Sequence, residues 1–204
     1  QGPVTCSTNP AVYKANVQKY CSPKIVELNS GKMLMAYIDD VSSRSDENRT
    51  ALMYSIYDGT SWSAAKPIFD DGTMDYAPIM CADGNGGAHI VWQNAKKEFG
   101  TDVTLDEMST NMELYYTHWD GEVFSGTVAL TSNLDYETNC SLTSNGDDVT
   151  VVWQQNSEND PFSAEGTNSI HRKQLVGGKW QSEETPAIHL QFISGGTLIC
   201  PRSF

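Results

Sequence analysis

A glycine turn followed by an apolar run ending in an aromatic occurs three times along this 204-residue chain. The copies are Gly31-Lys-Met-Leu-Met-Ala-Tyr37, Gly86-Gly-Ala-His-Ile-Val-Trp92 and Gly146-Asp-Asp-Val-Thr-Val-Val-Trp153. A long polar loop follows each copy, and then a second apolar strand that ends in a tight turn and an aromatic. These second halves are Ala51-Leu-Met-Tyr-Ser-Ile-Tyr-Asp-Gly-Thr-Ser-Trp62, Met112-Glu-Leu-Tyr-Tyr-Thr-His-Trp-Asp-Gly-Glu-Val-Phe124 and Ile170-His-Arg-Lys-Gln-Leu-Val-Gly-Gly-Lys-Trp180. A period of roughly 50–60 residues restricts the chain to arrays in which one supersecondary unit buries its apolar face against the next.

Each unit reads as four short strands. In the middle unit these are 78–82, 88–93, 112–119 and 123–130, with Asp120-Gly121 joining the third to the fourth. Asp-Gly between apolar runs predicts a type I′ hairpin with positive φ at both residues. Asp58-Gly59 and Gly177-Gly178 hold the same place in the other units. Pro23, Pro78 and Pro186 mark the starts of first strands, where a missing N–H costs no ladder bond. Thr138 takes that place in the third unit. The only helical candidate, 102–111, lies inside a loop.

Repeated units of four antiparallel strands with aromatics at fixed offsets predict an all-β fold, a β-propeller. The expected division is an N-terminal segment 1–16, blades at 17–72, 73–133 and 134–185, and a partial fourth blade at 186–204. Propellers typically need at least about four blades, so this chain alone is not expected to close a ring. A fragment of a longer propeller is the favoured expectation. The alternative is a homo-oligomer whose copies complete one ring.

The formal net charge of −13 argues against nucleic-acid binding, because phosphate contacts need Lys and Arg. No apolar run is long enough for a membrane span. Cys6, Cys21, Cys81, Cys140 and Cys200 form no Cys-x-x-Cys pair, and no His spacing resembles a zinc site. Cys81 and Cys140 fall in equivalent apolar strands and are expected as buried free thiols. A Cys6–Cys21 disulfide stays open at this point. No cofactor is expected; calcium stays open at the oxygen-rich turns but is not expected. The oxygen-rich turns at 70–72, 83–86 and 145–148 lack EF-hand spacing, and Asp, Asn and Gly suit tight turns for backbone reasons alone.

With the proline-led strand, the Gly-x-x-hydrophobic-Trp strand and the Tyr-Asp-Gly-x-x-Trp hairpin in place, the sequence resembles the propeller repeats of secreted bacterial proteins. These form the broad sialidase-like and lectin-like group, and the resemblance covers residues 17–199. It implies a secreted, extracellular protein of bacterial origin. Sialidases carry an Asp-box, Ser-x-Asp-x-Gly-x-Thr-Trp. In Ser55-Ile-Tyr-Asp-Gly-Thr-Ser-Trp62 the acid directly precedes the glycine, so the match departs from that pattern. The sialidase arginine triad has no repeat-equivalent set among Arg44, Arg49, Arg172 and Arg202. Fucose-lectin propellers bind sugars between blades through Arg, Glu and Trp, and Arg49, Trp92 and Trp153 are of the right types.

Binding residues concentrate on loops carried by a rigid scaffold. The long loops 39–50, 94–111 and 154–168 are rich in acids, with only Arg44, Arg49, Lys96 and Lys97 as bases. Between blades, Asp75-Tyr76 and Asp135-Tyr136 are expected at equivalent positions, with Lys19-Tyr20 in the first unit. Tyr76, Tyr136, Trp92, Trp153 and Arg49 are the candidate ligand-binding residues. Asp39, Asp40, Asp75 and Asp135 are the candidate catalytic carboxylates, since glycoside hydrolysis uses acid pairs about 5 Å or about 6.5–9.5 Å apart. Trp62, Phe124 and Trp180 recur after the third strand and are expected in blade cores. His89, His118, His171 and His189 lie in predicted strands, with ordinary hydrogen bonding as the default.

The leading expectation is a non-catalytic propeller module that binds a glycan or another cell-surface ligand. A sialidase-like or other glycoside hydrolase with an acidic site, and a scaffold without ligand, are the alternatives.

Overall fold

The computed structural model describes residues 13–162 and 166–184. The expected partial fourth blade, together with Cys6, His189, Cys200 and Arg202, lies outside the described residues. The rest is a partial β-propeller of three four-stranded antiparallel sheets whose ring is not closed. The first sheet holds β1 (Lys24–Glu27), β2 (Met33–Asp40), β3 (Thr50–Tyr57) and β4 (Lys66–Pro67). The second holds β5 (Asp75–Ala82), β6 (Ala88–Ala95), β7 (Met112–Trp119) and β8 (Val128–Ala129). The third holds β9 (Tyr136–Asn145), β10 (Asp148–Asn156), β11 (Asn168–Val176) and β12 (Lys179–Trp180). Strands run in chain order within each sheet. Among the described residues the one α-helix, α1 (Leu105–Ser109), sits in the predicted loop. It starts where Thr104 accepts a hydrogen bond from the Glu107 N–H at 3.1 Å, an N-cap with the Thr-x-x-Glu signature.

Period-2 alternation builds the cores. Leu34, Ala36, Ile38 and Leu52 of the first blade pack on Ala88, Ile90, Trp92 and Trp119 of the second. On the other side of the second blade, Val91, Leu114, Tyr116 and Leu130 pack on Val149, Val151 and Trp153 of the third. β6 is therefore buried at every position, because both its faces meet a neighbour. Phe124 and Trp180 pack against these cores as expected. Trp62 bridges Tyr57 and lies 5.4 Å from both the Tyr57 and Tyr13 rings.

Two local expectations are corrected. Asp58 and Asp120 do not adopt positive φ; only Gly59 (φ 99) and Gly121 (φ 106) do. Each Asp instead accepts two loop N–H groups at 2.8 Å through Oδ1, an Asx-type turn. The two-positive-φ turn occurs only at Gly177 (φ 56) and Gly178 (φ 76) among these three hairpins.

Pro23 and Pro78 mark a bulge, not a strand start, and Pro186 lies outside the described residues. β5 begins at Asp75, and its register with β6 shifts between Tyr76 and Ile79, so Ala77 and Pro78 together oppose Trp92. In the third blade the register shifts in the same way, and Asn139 and Cys140 oppose Trp153. In the first blade, Cys21 O accepts the Ile38 N–H and Lys24 pairs with Ala36, leaving Ser22 and Pro23 opposite Tyr37. The residue entering each bulge has positive φ: 42° at Ser22, 47° at Ala77 and 51° at Asn139. Cys140, not Thr138, thus takes the place of proline. A proline in a bulge forfeits no ladder bond.

Candidate functional site

β1, β5 and β9 each lead their sheet, and β5 touches both of the others. The three bulges therefore gather at one end of these inner strands. A cleft of about 740 Å³ opens there, within the size range of small-molecule sites. Tyr20, Tyr76 and Tyr136, one from each blade entry, line it. Its base is apolar: Met74 and Met112 line it and are 2% and 5% exposed. Leu105 and Met108 reach it from α1. Lys19 and Gln93 add polar groups, and the Gln93 amide donates to the Glu137 carbonyl.

The loops around this cleft are tied down. Asn48, 3% exposed, donates to Phe99 O and accepts from the Phe99 N–H, both at 2.8 Å. Arg44 donates to the Thr73 carbonyl at 2.6 Å and pairs with Asp70. Lys97 pairs with Glu107 at 2.6 Å. Arg44 and Lys97 are thus each taken up by a local acid.

Of the candidate ligand-binding residues, Tyr76 and Tyr136 line the cleft. Burial raises the Tyr76 phenol above its ordinary value, and the nearby Asp40 charge and the Tyr20 and Tyr136 phenols push the same way. Tyr76 stays a hydrogen-bond donor at neutral pH. Arg49 stands apart from the lining residues, held between Asp40 at 3.4 Å and Asp46 at 2.8 Å. Trp92 and Trp153, expected to meet ligand, are 0% and 1% exposed and belong to the interblade cores. Their rings are needed for packing, and no face is left for a sugar.

The candidate carboxylates do not converge. Asp39 is buried and paired with Lys14. Asp40 is exposed and faces Arg49. Asp75 is 0% exposed and accepts from Trp92 Nε1 at 2.8 Å, Asn94 Nδ2 at 2.9 Å and the Leu52 N–H at 2.8 Å. Burial lifts its pKa to about 7 against those hydrogen bonds. Asp135 accepts from Gln155, whose carbonyl oxygen in turn receives Trp153 Nε1 at 3.4 Å. Asp75 and Asp135 are also not equivalent: Asp75 pairs with Asn94 and Glu137 with Gln155, so Glu137 is the register match of Asp75. No Asp or Glu is among the described residues that line the cleft.

The helix falls within the 102–111 candidate, while sequence reasoning does not single out Gln93. The Thr104-to-Glu107 spacing was the available signal for α1. At the opposite end of the blades, a second concavity of about 610 Å³ is lined by His89, His118 and Asp147. Both ring nitrogens of His89 are engaged, by Tyr116 Oη at 2.9 Å and Gly146 O at 3.0 Å, while His118 meets Asp83 at 3.0 Å. Among the described residues no group of three or more His, Cys, Asp or Glu is arranged to hold a metal ion. Cys21, Cys81 and Cys140 are free thiols.

No family of known sequences matches the chain, and neither does any curated protein. Among solved structures, it is similar to the Penicillium chrysogenum alpha-L-arabinanase complexed with arabinobiose, with a TM-score of 0.52 and 13% identity over 80% of this chain and 49% of that one. The GH93 alpha-L-arabinofuranosidase of Fusarium graminearum with arabinobiose gives a TM-score of 0.48 and 13% identity over 80% of this chain and 48% of that one. The chain spans about half the length of these solved structures, and at 13% identity its likeness to the arabinanase is one of fold alone.

Proposed function

We propose that this chain is a carbohydrate-binding propeller module, and that the cleft at the bulged ends of β5 and β9 takes a short glycan. The observation that carries the reading is the convergence of Tyr20, Tyr76 and Tyr136 from three successive blade entries on one apolar-based cleft. Aromatic faces stack on the apolar faces of sugars, and phenols and the Gln93 amide supply the hydroxyl partners. A propeller neighbour holding arabinobiose makes arabinose oligosaccharides the first ligands to try. A secreted bacterial setting and ring completion, by further blades or by a second copy, belong to the same reading and rest on the repeat pattern.

A glycoside hydrolase is the second reading, favoured by the arabinanase neighbour and by Asp40 beside Tyr76. Its acid pair would need a carboxylate from outside the described lining residues.

Titration calorimetry with arabino-oligosaccharides, backed by a glycan array, tests the first reading. Tyr76→Ala is expected to weaken binding at least about tenfold, the order of one lost stacking contact. A folded sample that binds no glycan sinks it. Sugar release abolished by Asp40→Asn would favour the second reading.

A further inference from the structure

We infer that Ser169, His171 and Glu183 form a serine-hydrolase triad on the third blade, acting on small O-acyl esters. Two residues apart on β11, Ser169 and His171 share the sheet face that looks toward the second blade, opposite Gln155 and Trp153 of β10. Ser169 Oγ lies 2.7 Å from His171 Nε2, and His171 Nδ1 lies 2.6 Å from Glu183 Oε1. The carboxylate can only accept, so Nδ1 carries the proton and Nε2 presents its lone pair to the serine hydroxyl. That is the connectivity of nucleophile, base and orienting acid. The imidazole plane is fixed by Trp153, whose ring lies 5.8 Å away at 25°.

Exposure follows the roles. The His171 side chain is 9% exposed, while Glu183 is 32% exposed and Ser169 is half-buried. The base is shielded and the nucleophile stays within reach of solvent. Blade packing does not ask for these residues. By register, Ser169 and His171 correspond to Glu113 and Tyr115 in the second blade and to Ala51 and Met53 in the first. The serine–histidine pair is particular to β11.

The step balances without a cofactor. Ser169 Oγ bonds to the acyl carbonyl carbon as its proton passes to His171 Nε2, and the carbonyl electron pair moves onto oxygen. When that pair returns, the bond to the alcohol breaks and the alcohol leaves with the proton from Nε2. Water then adds by the same route, releasing the carboxylic acid and restoring the serine. Glu183 is a positioning residue that holds the imidazolium. The substrate class rests on the glycan reading above. Ser169 pairs with Gln155, which donates to Asp135, the residue directly before Tyr136 of the cleft. An O-acetylated sugar is the ester that fits both sites.

The test uses the whole chain with a fluorophosphonate probe, mapping adducts by mass spectrometry, and with 4-nitrophenyl acetate. Expected is an adduct on Ser169 that is absent in Ser169→Ala, and hydrolysis that falls at least about 100-fold in Ser169→Ala and in His171→Gln. Both variants are nearly isosteric, and circular dichroism checks their folding. Glu183→Gln is expected to lower kcat more than tenfold at unchanged KM, with partial rescue by Glu183→Asp. An unmodified Ser169 in folded protein, or hydrolysis indifferent to Ser169→Ala, overturns the triad. Ser169-dependent hydrolysis in a sample that binds no glycan upholds the triad and sinks only the cleft reading.

Discussion

The buried carboxylate of Asp75 holds the indole of Trp92: Nε1 donates to Oδ1 across 2.8 Å. The other oxygen takes the backbone N–H of Leu52, which belongs to the preceding blade, at 2.8 Å. One side chain thus fixes one of the two indoles of this interblade core and ties two sheets together. Asp75→Ala strands both donors in a dry interface, and each stranded donor costs about 1–3 kcal/mol. We expect a loss of about 3–5 kcal/mol in urea unfolding. A loss below about 1 kcal/mol would mean that the tie is not structural.

The same burial makes stability depend on pH. Asp75 is lifted from 3.8 to about 7, and Glu137, 1% exposed, from 4.5 to about 8, by burial first and then by the Glu113 charge. For both acids the folded state holds a proton that the unfolded chain has released, so folding binds protons between about pH 4 and pH 8. Their contribution is present below the unfolded values and is lost as pH rises through the folded ones. His89, lowered from 6.5 by burial, acts in the opposite sense on the acidic side. We expect the Tm to fall between pH 6.5 and 8.5, and the slope to flatten in Asp75→Asn/Glu137→Gln. A double variant with the wild-type slope contradicts this assignment.

The bulge predicts an unusual response to glycine. Ala77 sits at φ 47, where an L side chain is strained by about 1–2 kcal/mol. Ala77→Gly relieves that strain at some cost in unfolded-chain entropy. The expected net gain is about 0.5–1 kcal/mol, read as a higher Tm. Ala77→Val should lower it, since a β-branched residue is less tolerant of this region. A destabilised Ala77→Gly would count against the strain.

Gly87 answers to contact instead of φ. A Cβ there would stand 2.2 Å from the Trp119 carbonyl and 2.4 Å from Asp83 Oδ2. Gly87→Ala must push apart β6 and β7 or displace Asp83 from His118 and the Asn85 and Gly87 N–H groups. We expect a loss of at least about 2 kcal/mol, in the range of overpacking. Wild-type stability would mean that the turn can shift freely.

The blade pattern was legible because period-2 alternation and glycine turns are local. The bulge was not. Asp75-Tyr76 and Asp135-Tyr136 look alike in sequence, yet the pairing of β9 with β10 aligns Asp75 with Glu137. Only the ladder register reveals the offset of two residues. Trp92 and Trp153 share a composition cue with ligand aromatics, and only burial places them in cores. Tyr76 and Tyr136 both line the cleft, yet by the same register Thr138, not Tyr136, is the match of Tyr76, so their likeness in sequence is not a likeness of position. The contact of His171 with Glu183 spans 12 residues and a turn, and nothing in the local pattern announces it.

Asn48 connects this architecture to the cleft. Its amide makes a two-way pair with Phe99, joining the long loop of the first blade to that of the second. Phe99 belongs with Met74 and Met112 to the apolar cluster under the cleft, on which Tyr76 and Met108 pack. Asn48→Ala leaves the buried Phe99 N–H and carbonyl without their partner, at a cost of about 1–3 kcal/mol spent mostly in local opening. We expect faster amide exchange over residues 97–108 and weaker glycan binding, with the amides of β6 as protected as in the wild type. Unchanged exchange over that loop would show that the pair does not set its order. Faster exchange throughout β6 would instead mean that the loop and the core open as one unit.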